Sequence, residues 1–191
     1  LSLVLNFDWI NKSLFSGAYK RTESYFQNSN LSALGQSASP AEMKILRGAK
    51  LPPEILQNGY VASAGDEKGH NRQVRQTALD LLKKSGYAIV DGRLAHKRSG
   101  DALEFEILVQ TREDERLSLT YSRMLNSIGV MAKVRYVDAT QYQNRLQSFD
   151  FDMIIYNWYA SLSPGNEQAF YWGSAAADQK GSRNYPGIKS K

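Results

Sequence analysis

Residues 103–157 switch repeatedly between two hydrophobic periods, and no other feature limits the possible folds of this chain as tightly. Leu103, Phe105, Ile107 and Val109 alternate with Glu104 and Glu106, which predicts a half-buried strand from Leu103 to Val109. Glu113 to Ser127 then gathers Leu117, Tyr121, Met124, Leu125 and Ile128 on one helical face and stops at Gly129. A strand from Val130 to Val137, a helix from Thr140 to Phe149 and a nearly continuous apolar strand from Phe151 to Tyr156 follow. This β-α-β-α-β order requires parallel strands joined by right-handed crossovers, a sheet whose ligands bind beyond the carboxyl ends of its strands. The last of those ends is Tyr156-Asn157-Trp158, and ten of the chain's 21 aromatic residues lie between Tyr136 and Trp172. A site is expected at that edge.

The upstream sequence supplies helices and loops. Asn71 caps a helix with Val74, Ala78, Leu81 and Leu82 as its apolar stripe, closed by Lys83-Lys84-Ser85-Gly86. Tyr87 to Val90 reads as a strand, separated from Leu103 by a loop containing glycine. Phe7, Ile10, Leu14 and Phe15 predict a helix from about Asp8 to Tyr19, interrupted near Gly17. Asn28 to Pro40 and Gly59 to Gly69 read as loops. Between them Ser39-Pro40 with Glu42 is a helix start, and Leu51-Pro52-Pro53 ends that helix.

A chain of 191 residues and 21.5 kDa has room for one domain or one and a half, and about 70% of the surface of its unfolded form should be buried on folding. The absence of cysteine excludes disulfides, thiolate zinc and thiol nucleophiles without settling the compartment. The net charge of +5 is spread: residues 1–95 carry 12 Lys and Arg against 8 Asp and Glu, and residues 96–191 carry 12 against 11. A mixed solvated surface accounts for it better than a nucleic-acid footprint. No stretch approaches the roughly 20 apolar residues that span a bilayer. Leu1 to Leu5 has no basic segment before it and no small-residue cleavage site after it, so it does not read as a signal peptide. Both ends read as cut, as in a fragment of a longer protein.

Most catalytic constellations are missing: no nucleophile elbow, no phosphate-binding glycine loop, no paired-histidine zinc motif. His70 and His96 each sit in a polar, glycine-containing setting and read as solvated loop residues. No metal or cofactor is expected. Glu104 and Glu106 could be cast as a hydrolase carboxyl pair, but period-two alternation makes them the solvent side of a strand. Asp150 and Asp152 read as turn residues, because no third oxygen ligand lies near them. Arg112, Arg116 and Arg123 share a helix face, with Glu113, Asp114 and Glu115 among them to form local ion pairs. The segment from Asn157 to Gln168 differs in kind. It follows a buried strand and adds hydroxyls and amides to Trp158 and Tyr159 in a loop that opens a helix near Gly165. Aromatic walls with a few directed hydrogen bonds suit a ligand pocket; the alternative is that Trp158 and Tyr159 only cover the sheet end.

Asn6-Phe7-Asp8-Trp9-Ile10-Asn11-Lys12 with Leu14-Phe15, Arg21 to Ser29, Phe149-Asp150-Phe151-Asp152-Met153, Ser161 to Gln168 and Trp172-Gly173-Ser174 together resemble the family 5 extracellular solute-binding proteins of ABC transporters. The nearest likeness is to the subgroup linked to uptake of oligopeptides and of the peptide-nucleotide microcin C. The resemblance implies most of the second lobe of a periplasmic, two-lobed clamshell: an α/β, type II periplasmic-binding-protein-like lobe in three layers, its mainly parallel sheet flanked by helices. Residues 1–60 would be its helical and irregular segment and residues 61–191 its α/β core with the ligand-facing loop, together one domain. The implied function is non-enzymatic capture of an oligopeptide or peptide-like solute and delivery to a permease by a monomer with no transmembrane segment in this chain. Ligand-binding residues are then Asn157, Trp158, Tyr159, Ser161, Ser163 and Asn166. In peptide-binding relatives an aspartate follows the Trp-small-Ala run and takes the peptide's amino terminus; Ser161 stands there, so the charge-assisted bond to an ammonium is lost. A carboxylate-dependent peptide hydrolase and a nucleic-acid-binding module remain as alternatives.

Overall fold

A computed structural model describes residues 1–49, 51–62, 71–159 and 161–189. Helix α1 spans Phe7–Phe15, four residues shorter than its expected end, because Ser16 and Gly17 turn left-handed and Gly17 N–H closes on the Asn11 carbonyl at 2.9 Å. Helix α2, Pro40–Leu46, carries the full capping box: Ser39 Oγ accepts from Glu42 N–H at 3.3 Å and the Glu42 carboxylate accepts from Ser39 N–H at 2.7 Å. The next helix, α3 at Pro53–Asn58, was not expected; Pro53 takes a first-turn position, where its missing N–H costs nothing. Helix α4, Arg72–Lys84, starts as expected, with Asn71 Oδ1 accepting from Val74 N–H at 3.0 Å. Its apolar stripe is rotated from the expected one. Ala78 is buried, Leu79 and Leu82 pack beside it, and Leu81 is 49% exposed.

The loop expected after Tyr87 to Val90 instead holds a second strand. Strands β1, Tyr87–Val90, and β2, Arg93–His96, pair antiparallel around Asp91-Gly92, whose φ values of 48° and 77° are those of a two-residue hairpin turn. His96 therefore sits at a strand end, not in a loop. Its ring meets Tyr87 edge-on with centroids 5.3 Å apart. His70 lies outside the described residues.

The β-α-β-α-β expectation is met by β3, Glu104–Val109, α5, Arg112–Asn126, β4, Met131–Tyr136, α6, Ala139–Ser148, and β5, Met153–Ile154. The sheet order is β4-β3-β5, parallel throughout, with Glu104 opposite Met131, Val109 opposite Tyr136 and Ile107 opposite Met153. Strand β5 is two residues long where six were expected. Side chains take over from the ladder at both of its ends: Asp152 Oδ2 accepts from Glu106 N–H at 2.9 Å, and the Ile155 carbonyl accepts from Tyr142 Oη at 3.2 Å. Helix α7, Glu167–Trp172, begins two residues beyond Gly165.

Successive residues of β3 point to opposite faces, and each face has its own core. Ile107 and Val109 pack with Ala78, Leu94, Leu125, Ile128, Val130 and Ala132. Leu108 packs with Val137, Tyr142 and Leu146, with Phe151, Ile154, Tyr156 and Tyr185 against them. Helices thus cover both faces of the sheet. On α5 the buried side also carries Ser118, Thr120 and Ser122, whose small hydroxyls allow close approach; Ser122 Oγ donates to the Ala132 carbonyl of β4. No helix among the described residues is long and apolar enough to cross a membrane.

The chain groups into two compact units. The first is Leu1–Ala18, Gly65–Asn157 and Gln168–Lys191, and contains the sheet; the second is Tyr19–Ala64 with Trp158–Glu167. In the first unit Asn184, fully buried, ties the carboxyl-terminal segment together: Nδ2 donates to the carbonyls of Gly173 and Ile188 at 3.0 Å, and Oδ1 accepts from Ile188 N–H at 2.9 Å. Asn184→Ala strands these buried groups and is expected to lower stability by about 1–3 kcal/mol. Denaturant midpoints of the two proteins measure the loss.

Candidate functional site

Strand order decides where the open edge lies. From the central β3 the chain crosses to β4 on one side and then to β5 on the other, and ligands of such sheets bind outside the carboxyl ends at the reversal. The segments leaving those ends are Gln110-Thr111, Val137-Asp138 and Ile155 to Asn157. Thr111 and Asp138 cap the helices that follow, accepting from Asp114 N–H at 3.0 Å and from Gln141 N–H at 2.9 Å. Exposed Tyr136 at the end of β4 lies beneath Arg112, whose guanidinium carbon is 4.4 Å from the ring centroid while Nη1 donates to Glu115 Oε2 at 2.7 Å. The sequence showed Arg112 on the arginine face and Tyr136 in the aromatic crowd. Only the parallel register brings them together.

Much of that aromatic crowd is core. Tyr185 receives Phe149, Phe151 and Tyr156 edge-on at 6.3, 5.9 and 4.7 Å between centroids, and Tyr142 is 3% exposed. Burial first, and neighbouring charges second, push the hydroxyls of Tyr142 and Tyr185 up to about 12. Because the folded form holds these protons longer than the unfolded chain, their contribution to stability is complete below pH 10. It is expected to fall as pH rises from 10 towards 12. Tyrosinate absorbance followed together with unfolding should show late-titrating groups, Tyr142 and Tyr185 among them, released at the transition.

The six expected ligand residues divide between the units. Asn157, exposed, ends the strand exit of the first unit, while Trp158, Tyr159, Ser161, Ser163 and Asn166 belong to the second. Trp158 is half-buried; Tyr159 is 80% exposed and Leu162 66%. Ser161 Oγ donates to the Ser163 carbonyl, so this hydroxyl serves its own turn. Glu167 was not singled out from the sequence, yet its carboxylate curls back to accept from Gly165 N–H at 3.0 Å. An acid two residues after a glycine at a helix start was the available signal.

The other constellations resolve into structure. Glu104 pairs with Lys133 at 3.3 Å; Glu106 pairs with Arg135 at 2.6 Å and Arg145 at 2.9 Å; and Arg145 also holds Asp150 at 3.0 Å. Burial alone would raise the Glu106 carboxyl, but the hydrogen bonds and charges of Arg135 and Arg145 outweigh it and hold the group below its ordinary value of 4.5. A general acid needs the opposite shift. The network's contribution to stability is therefore present above pH 4.5 and lost as pH falls below it, and Glu106→Gln should flatten that acid limb of a stability–pH profile. Asp150 and Asp152 are exposed, as expected of turn residues, but their carboxylates do more than make a turn: Asp150 pairs with Arg145 and Asp152 accepts from the Glu106 amide of β3. Arg116 Nη2 donates to the Leu14 carbonyl at 3.4 Å, so with Arg112 on Glu115 the arginine face is largely engaged within the fold. No group of three His, Asp or Glu among the described residues is placed to hold a metal ion.

The sheet order, the two-sided core and the strand exit at Asn157 can be compared with known proteins. The sequence profile of the bacterial extracellular solute-binding proteins, family 5 Middle, matches residues 1–180. The chain belongs to this family. Among family 5 relatives it is 44% identical over 190 residues to the peptidoglycan-binding protein YepA of Agrobacterium fabrum, covering 98% of this chain and 31% of that protein. It is 38% identical over 192 residues to the probable peptide-binding protein YejA of the same organism, covering 100% and 31%. Solved structures agree on the fold. The oligopeptide-binding protein AppA of Bacillus subtilis, in complex with a nonapeptide, matches with a TM-score of 0.64 at 18% identity over 99% of this chain and 32% of its own. The mannohexaose-bound periplasmic oligopeptide-binding protein of Thermotoga maritima matches at 0.66 and 16%, over 100% and 32%. The α/β, periplasmic-binding-protein-like architecture expected from the sequence is thus the observed one. The chain spans about a third of the length of these curated relatives and solved structures.

Proposed function

We propose that the chain is most of one lobe of a periplasmic binding component that captures an oligopeptide or peptide-like solute and hands it to an ABC permease by clamshell closure, without making or breaking a bond. The observation that carries this reading is the family 5 match over residues 1–180, set beside a loop that leaves the carboxyl edge of the sheet. Two relatives named for binding peptide or peptidoglycan favour a ligand with a peptide backbone, and a peptide-nucleotide of the microcin C kind lies within that class. On this reading Trp158 and Tyr159 form walls, and Asn157, Ser163 and Asn166 offer amide and hydroxyl groups to an extended backbone. Ser161, whose hydroxyl already donates within the loop, contributes only as an acceptor. The assembly works as a monomer that meets its permease at the membrane surface. A hydrolase reading has less support, because Glu104 pairs with Lys133, and Arg135 and Arg145 hold the Glu106 carboxyl below its ordinary value, opposite to what a general acid needs.

Intact-mass analysis of whatever the full-length protein releases on denaturation tests the ligand class. Peptide-like masses are the expected result. Failure of a peptide panel, including murein peptides, to bind in calorimetry would overturn the proposal.

A further inference from the structure

The fold gathers two short basic runs that the sequence keeps apart. Lys83 and Lys84 close α4, and Lys97 and Arg98 follow β2. The backbone joins the two pairs: Gly86 N–H donates to the Lys83 carbonyl at 3.1 Å, and Lys97 N–H donates to the Gly86 carbonyl at 2.9 Å. Arg98 sits in a tight turn, which Gly100 N–H closes on the His96 carbonyl at 2.8 Å and His96 N–H closes on the Asp101 carbonyl at 2.8 Å. Lys83, Lys84, Lys97 and Arg98 are all exposed. From this turn the chain runs through Ala102 into the amino end of β3, whose carboxyl end lies at the candidate site. The basic patch and the ligand edge are therefore at opposite ends of the sheet.

Other cations of this unit are compensated: Lys133, Arg135 and Arg145 pair with carboxylates of β3, and Arg112 pairs with Glu115. No carboxylate among the described residues is within ion-pairing distance of Lys83, Lys84, Lys97 or Arg98. Asp80, one turn before Lys84, accepts from Gln76 Nε2 at 3.1 Å, and Asp101, beyond the turn, pairs with none of the four. The dipole of α4 accounts for cations at its carboxyl end. Lys97 and Arg98 end no helix, and bringing them beside Lys83 and Lys84 adds repulsion that the described fold does not offset. We infer that Lys83, Lys84, Lys97 and Arg98 form a docking patch for an anionic phospholipid surface. Three of the four are lysines, whose compact ammonium on a flexible stem follows mobile phosphates, whereas fixed carboxylates on a protein favour the planar fork of arginine. Each cation adds a modest attraction that fades within a Debye length, so the patch attaches the protein reversibly. Contact at this end leaves the carboxyl edge of the sheet uncovered, and it does not depend on whether the solute is a peptide.

Flotation of the full-length protein with lipid vesicles tests the patch. Vesicles of phosphatidylcholine with about one third phosphatidylglycerol should bind the unsubstituted protein, pure phosphatidylcholine should not, and binding should vanish between about 0.05 and 0.5 M salt. Replacing Lys97 and Arg98 together by alanine, in a turn outside both apolar clusters, should weaken binding by about 30-fold with an unchanged melting temperature. Lys83→Ala with Lys84→Ala should do the same. Lys44→Ala with Arg47→Ala removes two exposed cations at α2 and is expected to leave binding as it was. Absence of binding to the anionic vesicles, or equal binding to neutral ones, would overturn the inference. Equal weakening by the α2 pair contradicts it as well, since that result marks net charge and not a patch. Binding to soluble polyglutamate with none to vesicles would replace it with an acidic protein partner.

Discussion

On the proposed role of Trp158 as a ligand wall, its replacement by alanine in the full-length protein is expected to weaken peptide binding by about 30- to 1,000-fold, the range for a tryptophan hot spot. Trp158 is the first residue after the strand exit and is half-buried. A rigid aromatic wall supplies contact area at little entropic cost, and its polar edge can meet a peptide backbone. Tyr159→Ala, at a side chain 80% exposed, should cost less, because a solvated ring releases less surface on truncation. Titration by intrinsic fluorescence or calorimetry, with thermal melting as the control, checks both. An unchanged affinity in a Trp158→Ala protein of unaltered stability would remove the loop from the ligand site.

Leu108→Ala is expected to destabilise the protein by about 2–5 kcal/mol, enough to cut the folded fraction of a marginal domain severely. Leu108 has no exposed surface and lies near the carboxyl end of the central strand, paired with Arg135 on β4 and Ile154 on β5. It is the β3 side chain that meets Tyr142 and Leu146 of α6, so truncation opens a cavity between sheet and helix that neither neighbouring strand can fill. Ile107→Val, on the opposite face, removes one methylene and should cost only about 0.5–1.5 kcal/mol. Chemical denaturation of the two variants gives the contrast directly; similar losses for both would show that the site of Leu108 collapses around the smaller side chain.

The period-two run from Leu103 and the helical stripe through Leu125 and Ile128 were readable because they obey a repeat that only one secondary structure satisfies. The caps at Ser39 and Asn71 were readable for the same local reason. Strand β2 has a local signal of its own, since Asp91-Gly92 after the short run Tyr87 to Val90 suits a hairpin turn, although the same glycine is equally at home in a loop. The length of β5 was not legible. Its apolar run continues to Tyr156, and what stops the ladder is a pair of side-chain hydrogen bonds from residues far along the chain.

The candidate site divides along the same line. Composition and order pointed to Trp158, Tyr159 and the hydroxyls after them, while the sorting of aromatics into core and surface needed coordinates: Tyr142 and Tyr156 share with Trp158 the chemistry of a ligand wall, yet they pack against Tyr185 and Leu108. By itself the sequence determined the elements that depend on near neighbours: helix stripes, caps, a parallel β-α-β-α-β order and the family to which its motifs belong. Only the tertiary structure decided which face of each element is covered, that Glu104 and Glu106 are consumed by cross-strand pairs, and that Ser24 alone is buried among the described residues between 19 and 62. The physical reason is range. Hydrogen-bonded turns and caps are set by residues three or four apart, whereas burial and ion pairing depend on partners that may be a hundred positions away and that no local pattern records.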